Sequence, residues 1–350
     1  MQTIPFADIR TTCPKQLLRD HSARGRGLVI SSRRTLGWFS ELLCRALMPG
    51  ADRLSREWMV KTDNPYLHEI DDFATHLGIP GIHALNLCFE WGCTSAVYDT
   101  PNGPTLTRVL DWAFPQLGER MVIAHQRGNA GDFYNITWPG MSGMFQGLAS
   151  GRFAAALNQA PMQRHGLAYI GDWVHNRKRM FRTTGLPPAH LLRRVFETAP
   201  DYATARHMLA TTPIALPVIY TLSGINPGEG CVIERTENDG VIRPLEHDHV
   251  CAANHFVTRL NAIGRGWWPR PFRSVKRQHL ADTVPLNTID ARFDWFRFPV
   301  ANSHTRLALV AQASNGTCSV MGTHGIRPVT QVWSLNNIPS TSLPQTAALS

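Results

Sequence analysis

The sequence predicts an α+β domain, and three observations carry that expectation. Residues before 92 read mostly as helices. A pair of runs rich in small and β-branched residues follows, joined by a Pro-Asn-Gly-Pro turn. Beyond it, short strands with Gly, Pro and Asn between them flank two helices.

The elements follow in order. Residues 35–47 carry apolar side chains at helical spacing, with Trp38, Leu42 and Leu43 sharing one face. Docking on a core is one use of that face. Contact with lipid is the other, since Trp and Phe near basic residues suit an interfacial helix. Residues 65–77 read as a second helix, broken by Gly78-Ile79-Pro80-Gly81, and residues 83–90 as a third segment. Strands are expected at 120–126, 132–138 and 152–158. Next come a helix at 188–197, with Pro at its start, and one capped by Asp201. Strands at 218–223, 231–235 and 250–253, a helix at 271–280, and strands near 306–312 and 317–322 complete the pattern. From Asn336 a polar, Pro-containing stretch reads as a loose tail.

The centre of the chain is the stretch from Glu90 to Asp111. A Gly92-Cys93 bond stands where the first strand of the hairpin begins. Cutting it makes Cys93 an N-terminal residue with a thiol and a free α-amine on one carbon. An α-amine has an ordinary pKa of about 7.7–8.0, so one residue then supplies both nucleophile and general base. With a turn centred on Asn102-Gly103, Arg108 faces Val97 and shares the face of Cys93. Asp111 then opposes Thr94 and falls on the other face, reaching the Cys93 amine only through a bulge or the strand end.

Gly92-Cys93-Thr94-Ser95 followed by Arg108-Val109-Leu110-Asp111 resembles the N-terminal-nucleophile (Ntn) cysteine hydrolases of the acid ceramidase, N-acylethanolamine acid amidase and choloylglycine hydrolase group. Pro139 to Met144, Ala156-Leu157-Asn158, Gly228-Glu229-Gly230-Cys231-Val232-Ile233, Asn254-His255-Phe256 and Arg273 extend the resemblance in the same order, over residues 66–280. It implies a four-layer αββα Ntn-hydrolase sandwich with an N-terminal helical segment. The resulting division is 1–92 (one subunit after self-cleavage), 93–335 (the catalytic core) and 336–350 (the tail). It also implies the site: Cys93 as nucleophile, Asp111 holding its α-amine and Arg108 orienting thiol and carbonyl. Asn254 and the backbone of Asn158 would serve the oxyanion, and Arg273 would be the late arginine. Thr107 and Val109 depart from the group's usual Gly and Asn. Arg270 and Arg277 stand close enough to Arg273 to compete for its role. Ser223-Gly224 and Gly228 to Gly230 are expected to form a tight turn beside the site.

Composition narrows the classes. The 350 residues carry 35 Lys+Arg against 26 Asp+Glu, for a net charge of +9, scattered in short clusters such as Arg177-Lys178-Arg179. Solvated helix faces explain this, and weak contact with an anionic membrane surface is the second reading. No nucleic-acid motif accompanies the charge. The seven cysteines include no Cys-x-x-Cys pair, so neither a zinc site nor a disulfide framework is expected, and no metal or organic cofactor is implied. Residues 1–27 lack an apolar signal core and no run reaches a membrane span, which predicts a cytoplasmic protein.

The function expected is an autoprocessing cysteine amidohydrolase acting on small-molecule N-acyl amides, its cleaved subunits remaining associated. Such substrates are ceramide, N-acylethanolamines or bile-acid-like conjugates. A penicillin-forming type of acyltransferase and a non-catalytic lipid-binding protein on the same scaffold are the alternatives. A papain-type Cys-His pair lacks its flanking signature here.

Overall fold

The computed structural model describes residues 1–33, 38–88, 91–258 and 273–335. The chain opens with strand β1 (Phe6–Asp8) and helices α1 (Pro14–Asp20), α2 (Ser22–Arg33), α3 (Trp38–Lys61), α4 (Leu67–Leu77) and α5 (Ile82–Asn86). The central hairpin is β2 (Gly92–Thr100) and β3 (Gly103–Asp111), followed by the short α6 (Leu117–Arg120). Strands β4 (Val122–Gly128), β5 (Gly131–Thr137), β6 (Gln146–Ala149) and β7 (Phe153–Gln159) lead to α7 (Ala168–Met180), α8 (Pro188–Thr198) and α9 (Tyr202–Thr211). Then come β8 (Val218–Ser223), β9 (Gly230–Arg235), β10 (Gly240–Pro244), β11 (His249–Ala252) and α10 (Ser274–Asp282). The described chain ends with β12 (Thr305–Gln312), β13 (Thr317–His324), β14 (Arg327–Pro328) and β15 (Trp333–Ser334).

These strands build two sheets. One has eight strands in the order β1-β4-β5-β6-β7-β8-β9-β10. The other has seven, in the order β11-β2-β3-β12-β13-β14, with β15 beside β13. β2 and β3 pack on β7 and β8, so the sheets lie face to face. Helices α8 and α9 cover the eight-stranded sheet, and α10 covers β2 and β11 of the other. The layers are therefore α, β, β, α, as the resemblance implied.

Strand alternation divides the buried residues cleanly. Cys93, Val97, Leu106 and Leu110 point between the sheets, into one core with Leu157, Tyr220 and Val232. Ala96, Tyr98, Val109 and Cys251 point outward, under Ala281, Phe293 and Trp295. Trp295 thus belongs to this outer core, with Phe296 packed against it. Trp267-Trp268 and the expected tail from Asn336 lie outside the described residues.

The hairpin register differs from the expected one. Thr100 pairs with Gly103, Ser95 with Arg108 and Gly92 with Asp111, so the turn is centred on Pro101-Asn102. Proline fixes φ near −65°, which suits the first central position of a type I turn and forbids the type I′ turn that Asn-Gly would otherwise favour. Gly103 takes the positive φ (+109°) instead. The pairing moves by two positions, so each side chain stays on its expected face.

Other elements needed tertiary context. β1, α1 and α2 occupy a stretch to which no individual element was assigned, α3 runs well past residue 47, and β6, α7 and β10 were not anticipated. By contrast, Asp201 caps α9 as expected, its carboxylate accepting from Thr204 N at 2.7 Å. Gly78, at φ +60°, ends α4.

Candidate active site

Cys93 is the second residue of β2 and is fully buried. Its thiol faces the space between the sheets, while its main chain faces α10. Two polar groups therefore meet it from opposite sides.

On the inner side stands Arg108, two residues from the residue opposite Cys93 on β3 and likewise fully buried. Its Nη1 donates to Asn158 Oδ1. Nε and Nη2 have no hydrogen-bond partner in the protein. Burial pushes the Cys93 thiol up to about 11, against the pull of Arg108 and Arg277. Asn158, on β7, is held in turn, its Nδ2 donating to Ala252 O at 3.2 Å and Ala253 O at 3.1 Å. The Arg108 guanidinium thus rests on the opposite sheet with two donors left over beside the sulfur.

On the outer side, Arg277 and Asn254 hold the backbone. Asn254 Oδ1 accepts from Cys93 N at 2.8 Å and from Arg277 Nη2 at 2.7 Å. Arg277 Nη1 donates to Cys93 O and, at 2.7 Å, to Thr94 Oγ1. Both neighbours of the Asn254 oxygen are obligate donors, which fixes the orientation of its amide. Its Nδ2 consequently turns away and donates to Gln159 O at 2.8 Å. Asn254 was expected to donate to an oxyanion. Here it offers its oxygen to the Cys93 nitrogen instead.

Asp111 is the last residue of β3, opposite Gly92, on the outer face. Its Oδ2 lies 3.7 Å from Arg277 Nη1 and accepts from Asn302 Nδ2 at 2.8 Å, while Oδ1 accepts from Thr305 Oγ1 at 2.7 Å. A register shift between Thr305 and Leu307 bends β12 beside it. The strand end and the bulge together bring this outward carboxylate to the Gly92-Cys93 junction.

Arg273 does not join them. It is exposed at the start of α10, with its guanidinium 5.1 Å from the Phe298 ring centre. Arg277, one helical turn further on, is the arginine that reaches Cys93, because α10 lays that position against β2. The glycine turn also lies elsewhere. Gly228 N donates to Asp99 Oδ2 at 3.0 Å, and Asp99 is six residues along β2 from Cys93, about 20 Å away.

Several residues of the cluster went unanticipated. Gln159 accepts from Trp91 N at 2.7 Å through Oε1, besides holding Asn254. Ser274 Oγ accepts from Asn254 N at 2.8 Å, and Asn302 and Thr305 hold Asp111. Thr94 and Gln159 adjoin Cys93 and Asn158 in sequence, which was the available signal. Ser274 likewise adjoins Arg273, whereas Asn302 and Thr305 sit on distant elements and had none. Upstream of the junction, Trp91 packs on Trp112 (5.2 Å between ring centres) and Phe145 (4.9 Å).

The two-sheet sandwich with layers α, β, β, α resembles the fold of the Ntn hydrolases. The chain resembles in particular the acid ceramidases and N-acylethanolamine amidases. It is 29% identical to the acid ceramidase of Heterocephalus glaber over 215 residues, 56% of this chain and 53% of that protein. Identity to the acid ceramidase of Mus musculus is 32% over 198 residues, covering 51% and 49%. A solved N-acylethanolamine-hydrolyzing acid amidase ortholog from Caenorhabditis elegans superposes with a TM-score of 0.50 at 20% identity, covering 63% of this chain and 93% of that one. No family model matches the chain. The chain spans about half the length of the curated relatives it matches.

Proposed function

We propose that this chain is a self-cleaving cysteine amidohydrolase that acts on N-acyl amides. One observation carries the reading: the Cys93 amide nitrogen donates to Asn254 Oδ1, an oxygen that Arg277 Nη2 holds in place, at the head of a buried strand. That arrangement suits an atom that changes from amide nitrogen to amine.

In the proposed self-cleavage, Cys93 Sγ adds to the Gly92 carbonyl carbon, and the bond to the Cys93 nitrogen breaks. The acyl group passes to sulfur as a thioester and the nitrogen gains a proton. Water then hydrolyses the thioester, leaving Gly92 as a carboxylate and Cys93 with a free thiol and amine. In catalysis the same thiol adds to a substrate amide, its proton passing through the α-amine to the departing amine. Asn254 and Asp111 hold that amine. The two unpartnered donors of Arg108 stabilise charge developing on the carbonyl oxygen, with Asn158 fixing the guanidinium.

Two features of the uncut chain support its being an inactive precursor. The internal Cys93 has no α-amine to act as base, and burial holds its thiol near 11. The relatives named above direct the choice of amides, as their names specify ceramide and N-acylethanolamines. Weak docking on an anionic membrane surface fits α7, where Ile170, Trp173 and Val174, with Leu167 just before the helix, are exposed beside Arg177, Lys178 and Arg179. Among the described residues no helix is long and apolar enough to cross a membrane.

Intact mass spectrometry, read beside release of fatty acid from ceramide and N-acylethanolamine, tests the proposal. Fragments 1–92 and 93–350 are expected together with hydrolysis. A full-length species with full amidase activity would overturn it.

A further inference from the structure

On the outer face of the seven-stranded sheet, three ligating side chains converge from β11 and α10. His249 and Cys251 stand two residues apart on β11, so both point to the same face. Asp282, the last residue of α10, comes over them. One ligand atom from each of the three lies within 4.8 Å of the other two, and His249 Nε2 is 3.8 Å from Asp282 Oδ1. We propose that His249, Cys251 and Asp282 form a zinc-binding site that ties β11 to α10.

The histidine is already set for this role. Its Nδ1 lies 2.6 Å from Asp248 Oδ1. A carboxylate can only accept, so Nδ1 carries the hydrogen, and in the neutral ring Nε2 presents its lone pair toward Cys251 and Asp282. A carboxylate behind the far nitrogen is how metal-binding imidazoles are oriented. The donor set also selects the ion. One thiolate, one imidazole and one carboxylate suit zinc, whereas calcium and magnesium require oxygen alone.

Space and charge agree. A cavity of about 380 Å³ opens over the three groups, lined also by Val241, Arg243, Pro244 and Glu246, leaving room for water as a fourth ligand. Tetrahedral zinc bonds of about 2.0–2.3 Å place ligand atoms roughly 3.3–3.8 Å apart. The His249–Asp282 separation already meets that limit. The remaining closure falls to His249 and Asp282, whose side chains are 30% and 37% exposed and have room to rotate. The neighbouring cation, Arg243, is engaged by Glu234 at 3.1 Å and donates to Cys251 O at 2.7 Å. Binding replaces the proton on Cys251 Sγ with the metal and releases that proton to solvent.

The site is separate from Cys93 but shares its supports. Asn254 follows Cys251 along the chain past the end of β11, and Arg277 rides on the same helix as Asp282. An ion at this point fixes the two elements that deliver those side chains.

The test uses the full chain, stripped with a chelator and titrated with Zn²⁺, then with Co²⁺ as a spectroscopic probe. One equivalent of zinc should bind and raise the unfolding temperature. Cobalt should give a thiolate charge-transfer band that persists in Cys93→Ala and disappears in Cys251→Ser. Asp282→Asn, at a half-exposed position that leaves the fold intact, should weaken zinc binding more than tenfold. The proposal is overturned by the absence of one-equivalent binding, by a band that survives Cys251→Ser, or by unchanged affinity in Asp282→Asn. None of these readouts depends on amidase activity.

Discussion

Arg277 Nη2 donates to Asn254 Oδ1 at 2.7 Å, and the same oxygen accepts from the backbone nitrogen of Cys93 at 2.8 Å. Arg277 comes from a helix outside the sandwich and Asn254 from the loop that follows an edge strand. Their meeting point is therefore a product of the tertiary fold.

Arg277→Lys keeps the charge facing Asp111 but cannot span Cys93 O, Thr94 Oγ1 and Asn254 together. It should slow self-cleavage about 100-fold or more, the scale of losing a preorganised donor. Arg273→Ala should stay within about twofold of wild type, since Arg273 lies outside the cluster. Densitometry of precursor and products over time reads both variants. Equal slowing by the two would count against the assignment of Arg277.

Cys93→Ala should persist as one chain and lose hydrolysis. Cys93→Ser should cleave slowly, because a hydroxyl is a much weaker nucleophile than a thiol. The measurement is intact mass over hours to days, and cleavage of Cys93→Ala would remove the thiol from the proposed step.

A buried polar network joins the two expected pieces. Asn64 Nδ2 lies 3.0 Å from His190 Nδ1, Ser142 Oγ 2.8 Å from His190 Nε2, and Arg193 bridges Glu69 at 2.6 Å and Glu197 at 2.8 Å. Burial holds the His190 pKa down to about 3, with Arg193 adding to the effect. The unfolded chain takes up that proton near 6.5 and the folded one does not, so this contribution is intact above pH 6.5. It falls away progressively between pH 6.5 and 3. His190→Gln should show a shallower loss of stability than wild type across that window, read by urea unfolding at pH 7, 5 and 4. Parallel slopes would exclude His190 as the source.

Membrane contact is expected to be electrostatic and shallow. Binding to anionic vesicles should appear at low salt and vanish at high salt. Ile170→Asp, at a residue 74% exposed on α7, should reduce it several-fold in co-sedimentation. No binding at low salt would discard the surface.

Much of this was legible in residues alone, for identifiable reasons. Hairpin parity survives a two-position change in register, so Arg108 was placed on the side of Cys93 despite the wrong turn centre. Asp201 and Gly78 acted through local backbone chemistry, which sequence records directly. Arg277 was less legible because a helix face is selected by what it packs on, and three arginines shared one short stretch. The amide orientation of Asn254 depended on which donors surrounded it, a property of four separate elements. β1 could not be recognised from three residues without knowing the strand it joins.

That first strand carries a consequence for biosynthesis. Phe6 pairs in parallel with Ile123, and Ala7 with Ala124. At about 5–20 residues per second, the opening segment waits on the order of 6–25 seconds for its neighbour to be made. Until then its backbone groups have no sheet to join, and the eight-stranded sheet cannot acquire its outer edge. The nascent chain therefore assembles this sheet out of sequence order, with β1 able to dock only once β4 has been made.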